Sequence, residues 1–115
     1  MKDFINYNNI EIINDDEIKV KVEIKENTLN PFHIVHGGLI FTIGDTVMGL
    51  KCKSLGRNAV TLDSSINFLS PGQGKYLIAT CKVIKNGKST CILESEIRND
   101  ENKLVATMTG TYFYI

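Results

Sequence analysis

Aliphatic and charged residues alternate along the segment from Glu17 to Glu26. Every second position is aliphatic and the positions between are charged, which is the two-residue period of a strand with one buried face. We therefore expect a half-buried strand in this segment. Its inward-facing side chains are Ile18, Val20, Val22 and Ile24.

The segment 39–54 follows a different period. Its aliphatic residues recur at intervals of three and four, and the segment is too long for a typical strand. The pattern therefore predicts a helix with one broad apolar face. The residues on this face are Leu39, Ile40, Ile43, Val47 and Leu50.

Strand patterns return after Gly56 and continue through the rest of the sequence. Asn86-Gly87 between two such patterns is a strong hairpin signal, and residues 100–102 predict a second hairpin. The order is a strand, a buried helix and then four strands in a meander. This order indicates an α+β fold in which one antiparallel sheet covers one helix. The later strands are expected at 58–70, 75–85, 88–99 and 103–115.

The composition fits one globular domain over residues 1–115. Thirteen basic and thirteen acidic residues cancel, so we expect neither a nucleic-acid partner nor an anionic membrane partner. The N-terminal segment has no apolar core of a signal peptide, and no apolar run reaches the length of a membrane span. The cysteines are Cys52, Cys81 and Cys91, an odd number without metal-binding spacing. We therefore expect a cytoplasmic protein with buried thiols, no disulfide and no metal.

One carboxylate, Asp45, lies inside the apolar helix pattern. An ionised carboxylate in apolar surroundings costs on the order of several kcal/mol unless a partner compensates for it. The other residues on its helix face are small or uncharged, namely Gly38, Thr42, Gly49 and Cys52. Such a face fits a neighbouring loop, a second subunit or a narrow ligand channel, and the pattern leaves all three open.

The predicted helix is preceded by His36-Gly37-Gly38. The first N–H groups of a helix are unpaired, glycine leaves them uncovered, and the helix dipole adds partial positive charge. Such a terminus suits a developing oxyanion or a phosphate. Asp45 lies roughly 10 Å further along the same helix and does not readily meet an atom held at the helix start. A second copy of the chain, packed by a two-fold axis, could bring the two features together.

The spacing N-P-F-H-I-V-H-G-G-L-(x)5-D, from Asn30 to Asp45, resembles the active-site signature of the PaaI-like acyl-CoA thioesterases. These belong to the hotdog-fold (4-hydroxybenzoyl-CoA thioesterase) superfamily. The later segments VTLDSSINFLSP and VIKNGKST extend the resemblance over residues ~15–115. It implies a central helix wrapped by one antiparallel sheet of five to six strands, in a homodimer with two sites at the interface. A dimer of dimers is also expected, and the sequence leaves the choice between dimer and tetramer open.

The resemblance also implies a role for each residue of the motif. The Gly37 N–H polarises the thioester carbonyl, and the Asp45 carboxylate acts as general base or nucleophile. Asn30 helps to place the attacking water, and Thr61 stands beside the carboxylate across the subunit interface. His36 fixes the loop and the acyl carbonyl by hydrogen bonding, with a purely structural loop histidine as the alternative.

The substrate implied is an acyl-CoA, with coenzyme A as part of the substrate and no separate cofactor. Two differences from the usual pattern stand out: His33 replaces a glycine, and Arg57 lies in a short loop where it either approaches a phosphate or caps the helix. Cys52 is not expected to be a nucleophile, since no second histidine stands near it. The residues expected to contact the substrate or its CoA part are Gly38, Phe68, Pro71, Lys85, Asn86, Gly87, Lys88 and Ser89.

A non-catalytic acyl-CoA-binding protein of the same fold is the alternative. Such a protein has no need for a charged residue at position 45, so Asp45 weighs against it. A hydratase or dehydratase of this fold requires a different loop of histidine and acid. The sequence does not indicate which acyl group is used.

Overall fold

The computed structural model describes residues 4, 5 and 8–115. Within these residues the chain forms one long helix, α1 (Gly37–Ser54), and a six-stranded antiparallel sheet. A short 3-10 helix at Glu26–Thr28 precedes α1. The strands are β1 (Ile10–Asn14), β2 (Ile18–Glu23), β3 (Ala59–Phe68), β4 (Tyr76–Asn86), β5 (Thr90–Asn99) and β6 (Leu104–Tyr114).

The strands lie in the order β1-β2-β4-β5-β6-β3. The predicted α+β class and single antiparallel sheet are confirmed, but the predicted four-strand meander is wrong. Only β4, β5 and β6 form a meander, because β3 pairs with β6 at the far edge of the sheet. A tight turn such as Asn86-Gly87 forces its strands to be neighbours, whereas the longer connection 69–75 lets the chain cross from that edge to β4.

Two further differences concern the N-terminal half. Strand β1 was not expected, because its sequence IEIIN lacks clean alternation; it pairs with β2 at the other sheet edge. The helix begins at Gly37, two residues before the predicted start at position 39. Within the described residues, no helix is both long enough and apolar enough to cross a membrane.

One face of the sheet packs against α1 and forms the core with it. At Gly44 the helix packs against the sheet with no room for a side chain, since a Cβ atom would lie only 2.1 Å from the Met108 Sδ. The next residue in the helix is Asp45. The buried residues of the helix are Ile40, Ile43, Gly44, Val47, Met48 and Cys52.

Candidate active site

The loop before α1 is held by main-chain hydrogen bonds. The Asn30 N–H donates to the Ile34 carbonyl at 2.8 Å, and the His33 N–H donates to the Asn30 carbonyl at 3.0 Å. The Val35 N–H donates to the Gly72 carbonyl at 2.8 Å, which ties the loop to the connection after β3. The loop therefore presents the start of the helix in a defined position.

Asn30 also stabilises this loop through its side chain. Its Oδ1 accepts hydrogen bonds from the Phe32 N–H at 2.9 Å and the Ile34 N–H at 3.4 Å. His33 has a φ of 62°, the left-handed region that glycine favours, so the loop keeps this conformation although histidine occupies the position. The remaining polar group of the Asn30 side chain, Nδ2, is a donor only.

The helix start leaves two amide groups unused. The His36 carbonyl accepts from the Leu39 and Ile40 N–H groups at 3.0 and 3.1 Å, as in the first turn of a helix. In the described part of the chain, the Gly37 and Gly38 N–H groups have no hydrogen-bond partner. Gly38 is exposed, and a Cβ placed on it would meet nothing within 4 Å. These two donors are available to a ligand.

The His36 side chain is exposed and makes no hydrogen bond to any described residue. The expectation that the His36 side chain fixes the loop is therefore wrong for the single chain. The Asn30 side chain and main-chain hydrogen bonds hold the loop instead. A contact between His36 and an acyl carbonyl stays a prediction.

The Asp45 carboxylate is half-buried and is held through one of its oxygens. Its Oδ1 accepts a hydrogen bond from the Thr61 hydroxyl at 2.8 Å and another from the Tyr112 hydroxyl at 2.6 Å. Its Oδ2 has no partner among the described residues. The carboxylate thus has one anchored oxygen and one oxygen free to react.

Thr61 was expected to approach Asp45 from a partner subunit, and this is wrong: both residues belong to the same chain. The reason is the position of β3, which pairs with β6 and faces α1 from the edge of the sheet. Thr61 and Tyr112 are direct cross-strand partners, so both hydroxyls reach the helix at the same level.

Tyr112 was not identified from the sequence. It belongs to the strand pattern 103–115, in which an aromatic residue reads as part of the core, and it is indeed buried. Burial, together with its hydrogen bond to Asp45, raises the pKa of the phenol far above its usual value. The phenol therefore stays protonated and acts as a donor to the carboxylate. Only the packing of β6 against α1 reveals its role.

The predicted substrate-contact residues fall into two groups. Phe68 lies beside the helix start, since a Cβ on Gly37 would be 3.3 Å from the Phe68 Cζ, and its ring is 54% exposed. Pro71 is exposed in the connection that meets the loop at Val35. Phe68 and Pro71 therefore lie close to the free amides.

The second group is the turn between β4 and β5, formed by Lys85, Asn86, Gly87, Lys88 and Ser89. Both lysines are exposed, and the Gly87 N–H closes the turn on the Thr90 carbonyl at 2.8 Å. The Asn86 Oδ1 accepts a hydrogen bond from the Tyr114 hydroxyl. Arg57 lies over the Tyr114 ring at 3.9 Å, so it does not cap the helix but adds a third cation near this turn.

The cysteines fit the expectation of unreactive thiols. Cys52 and Cys91 are buried, and all three cysteines are free. Burial raises the pKa of Cys52 to about 12, with Cys91 contributing, and burial raises the pKa of Cys81 to about 11. These groups stay protonated at neutral pH and are poor nucleophiles.

One long helix held against a six-stranded antiparallel sheet, with a carboxylate in the helix and free amides at its start, defines the hotdog class of protein. Residues 32–106 match the Thioesterase superfamily. The chain is 38% identical over 104 residues to the acyl-coenzyme A thioesterase PaaI of Escherichia coli K12, covering 88% of this chain and 74% of that protein.

Solved structures agree with this match. The structure of the Escherichia coli PaaI protein superposes with a TM-score of 0.91 at 34% identity, covering 98% of this chain and 84% of that one. A Bacillus halodurans protein solved with CoA superposes with a TM-score of 0.93 at 30% identity, covering 97% and 78%. The chain therefore belongs to the Thioesterase superfamily as a PaaI-like hotdog protein, which confirms the family expected from its motif.

A relative from Archaeoglobus fulgidus, named as an esterase, is longer than this chain. It is 32% identical over 98 residues, which cover 84% of this chain, and the chain spans 64% of its length.

Proposed function

We propose that this protein is an acyl-CoA thioesterase that hydrolyses a thioester to free CoA and a carboxylic acid. The observation that carries the proposal is the Asp45 carboxylate, which is half-buried, anchored through Oδ1 and, among the residues that the structure describes, without a partner at Oδ2. A binding protein gains nothing from holding a charge in this way, whereas a general base or nucleophile needs a free, oriented oxygen.

The proposed site requires a second copy of the chain. Gly37 is the first residue of α1 and Asp45 lies about 12 Å further along the same helix, so the two cannot meet one thioester within a chain. A two-fold axis perpendicular to β3 reverses the second helix and places its start beside Asp45 of the first. Strand β3 supports this arrangement, because it is a long edge strand with Val60 48% and Leu62 60% exposed.

The proposed chemistry uses groups from both chains. The Gly37 N–H of one chain polarises the thioester carbonyl and stabilises the oxyanion that forms there. Asp45 of the other chain either removes a proton from the attacking water or attacks the carbonyl carbon itself. In the second route the acyl group passes to Asp45 as an anhydride, and a water then hydrolyses this anhydride to the carboxylic acid and restores the carboxylate. In the first route the Asn30 Nδ2 donates to the water and orients its proton toward Asp45. In both routes the C–S bond breaks and CoA leaves as a thiolate, which needs no strong acid.

We assign the CoA part of the substrate to the surface around the turn between β4 and β5, where three cationic side chains lie. Lys85 and Lys88 flank the turn between β4 and β5, and Arg57 is held nearby by its contact with Tyr114. These three cations suit the phosphates of CoA. The CoA-bound structure of the Bacillus halodurans relative supports a CoA ligand for this family. The proposed substrate contains the coenzyme, so the proposal includes no separate cofactor and no metal.

The first experiment compares the wild type with Asp45→Asn on a panel of acyl-CoAs, with a thiol reagent to detect released CoA. Asn keeps the size of the side chain and removes the reactive oxygen, so we expect a loss of turnover of at least a hundredfold. Tight acyl-CoA binding with no turnover by the wild type would establish the non-catalytic alternative. Equal rates for the two proteins would refute the role of Asp45.

The second experiment removes the Gly37 donor. Proline fits the first position of a helix and lacks an N–H, and His36, with φ −53° and ψ 130°, has the conformation required before proline. Gly37→Pro should therefore fold but lose turnover. Gly37→Ala is the matched control, because it keeps the N–H and adds a similar contact with Phe68.

Mixing these variants tests the shared site. A dimer of one Asp45→Asn chain and one Gly37→Pro chain contains one intact site, because each chain supplies the group that the other lacks. Random mixing should then restore about one quarter of the wild-type activity. If both groups act within one chain, the mixture stays as inactive as its components.

A further inference from the structure

We propose that Tyr112 is the positioning residue of this site: it holds Oδ1 of Asp45 so that Oδ2 is the oxygen presented to the substrate or water. The inference rests on the proposed function and adds a residue that the motif around Asp45 does not contain. Tyr112 lies on the last strand, far from Asp45 in the sequence.

The hydrogen-bond geometry distinguishes the two carboxylate oxygens. The Tyr112 hydroxyl is 2.6 Å from Asp45 Oδ1 and 3.0 Å from the Asp45 main-chain carbonyl oxygen. Its single proton goes to the closer, charged acceptor, which forms the stronger bond. The Thr61 hydroxyl donates to the same Oδ1 at 2.8 Å. A half-turn of the carboxylate would only exchange two equivalent oxygens, but any smaller rotation would break both bonds. The two hydroxyls therefore fix the plane of the carboxylate, with one oxygen held against the sheet and the other turned away from it.

The Tyr112 ring is itself fixed by its surroundings. A Cβ on Gly110 would lie 2.8 Å from the Tyr112 Cε1, so the ring occupies space that only glycine leaves free at that position. On the helix side, a Cβ on Gly49 would lie 3.8 Å from the Tyr112 Cε2. The ring therefore fills a slot between its own strand and α1, and its hydroxyl cannot move away from Asp45 without repacking the core.

The neighbouring strand places Thr61 at the same oxygen. Thr61 and Tyr112 are paired directly across β3 and β6, and a β-bulge follows between Thr61 and Asp63. A bulge changes the direction of the side chains beyond it, so the regular pairing extends as far as Thr61 and changes immediately after it. Two separate strands thus deliver two hydroxyls to one oxygen.

The test is Tyr112→Phe, which keeps the ring in its slot and removes only the hydroxyl. Because hydrogen bonds to charged groups are stronger than neutral ones, we expect kcat to fall about 10- to 100-fold. KM should stay within about twofold, because the hydroxyl contacts Asp45 and not the substrate. Tyr76→Phe is the matched control: the Tyr76 ring lies under the Lys21 ammonium on β2, at 4.3 Å, and should leave both constants unchanged.

The bond itself is measured without turnover. In protein carrying carbon-13 at tyrosine Cζ, the resonance lost in Tyr112→Phe identifies Tyr112. We expect this resonance to shift in Asp45→Asn at neutral pH, because the acceptor loses its charge, while the Tyr76 resonance stays in place. Equal melting temperatures of wild type and Tyr112→Phe to within a few degrees show that the fold is kept.

The outcomes separate this inference from the proposed function. Wild-type kcat in Tyr112→Phe, together with an inactive Asp45→Asn, overturns the role of Tyr112 and leaves the thioesterase proposal standing. A Cζ resonance that does not respond to Asp45→Asn also overturns it. Absence of turnover from the wild type on every acyl-CoA refutes the proposed function and, with it, the positioning role.

Discussion

Gly44 offers the sharpest test of how α1 packs on the sheet. A Cβ at this position would lie 2.1 Å from the Met108 Sδ and 3.3 Å from the Ile97 Cδ1. Gly49 lies further along the same helix, and a Cβ at that position would make an ordinary contact with the Tyr112 ring at 3.8 Å. The same substitution, glycine to alanine, should therefore change stability in opposite directions at the two positions.

The expected magnitudes follow from two effects. Alanine in place of glycine inside a helix stabilises it by about 1 kcal/mol, and this applies at both positions. At Gly44 the overpacking against Met108 costs about 1–3 kcal/mol, because thioether and helix must separate. We therefore expect Gly49→Ala to raise the free energy of unfolding by about 1 kcal/mol and Gly44→Ala to lower it by up to about 2 kcal/mol.

Urea denaturation of the two variants and the wild type, at one protein concentration, measures these differences. A double-mutant cycle with Met108→Ala identifies the cause, since removing the thioether should abolish most of the penalty of Gly44→Ala. Because Gly44 adjoins Asp45, the separation should also lengthen the 2.6 Å contact with Tyr112 and lower kcat. Equal stability changes at both glycines, or a penalty that persists without Met108, would refute the close-approach argument.

Two further predictions concern charge. Since burial raises the pKa of Cys52 to about 12 from 9.0, the stability from its protonated thiol is complete below about pH 9 and is lost toward pH 12. Melting temperatures should therefore fall above pH 9. This group lowers the free energy of unfolding by about 1.4 kcal/mol per pH unit in that range, and the decrease should be smaller in Cys52→Ala. A melting temperature that stays constant up to pH 10.5 would contradict this prediction. Replacing Lys85 and Lys88 by alanine should raise KM for acyl-CoA about 5- to 30-fold, since each exposed ion pair contributes up to about 1 kcal/mol. KM for the matching acyl-pantetheine, which lacks the nucleotide, should not change, and an equal rise for both substrates would place the CoA phosphates elsewhere.

The part of the fold that local patterns specify was predictable. Alternation in β2, the period of α1 and the Asn86-Gly87 turn each act over a few residues, so they predicted the helix and most of the strands. The position of β3 was not predictable in this way, because the connection 69–75 contains no tight turn and allows either neighbour. Its pairing with β6 depends on which apolar faces cover α1, and that is a property of the whole core.

The candidate site shows the same difference between residues that a local pattern identifies and residues that only distant contacts identify. Asp45 and Gly37 stand in one contiguous motif, so the residue types and their spacing were enough to select them. Tyr112 carries no such signal, because an aromatic residue on an alternating strand indicates core packing and nothing more. Its hydroxyl acquires a partner only when β6 packs against α1, and Thr61 reaches the same oxygen only in the observed register of β3 with β6.

The register of β3 against β6 brings the second hydroxyl, that of Thr61, to the Asp45 carboxylate. Strand β6 is also held by β5, so a shift of one residue between β3 and β6 would turn the side chains of the edge strand β3, Thr61 among them, to the outer face of the sheet. Asp45 would then keep its place in the helix and its bond from Tyr112 but lose the Thr61 bond to Oδ1, and the charge would be less compensated. Gly110 leaves room for the Tyr112 ring within β6, and the bulge after Thr61 belongs to the observed pairing of β3 with β6. The requirement to satisfy a half-buried carboxylate therefore favours the same strand pairing that builds the core, so that folding and the placement of the oxygen that we propose to react depend on one set of contacts.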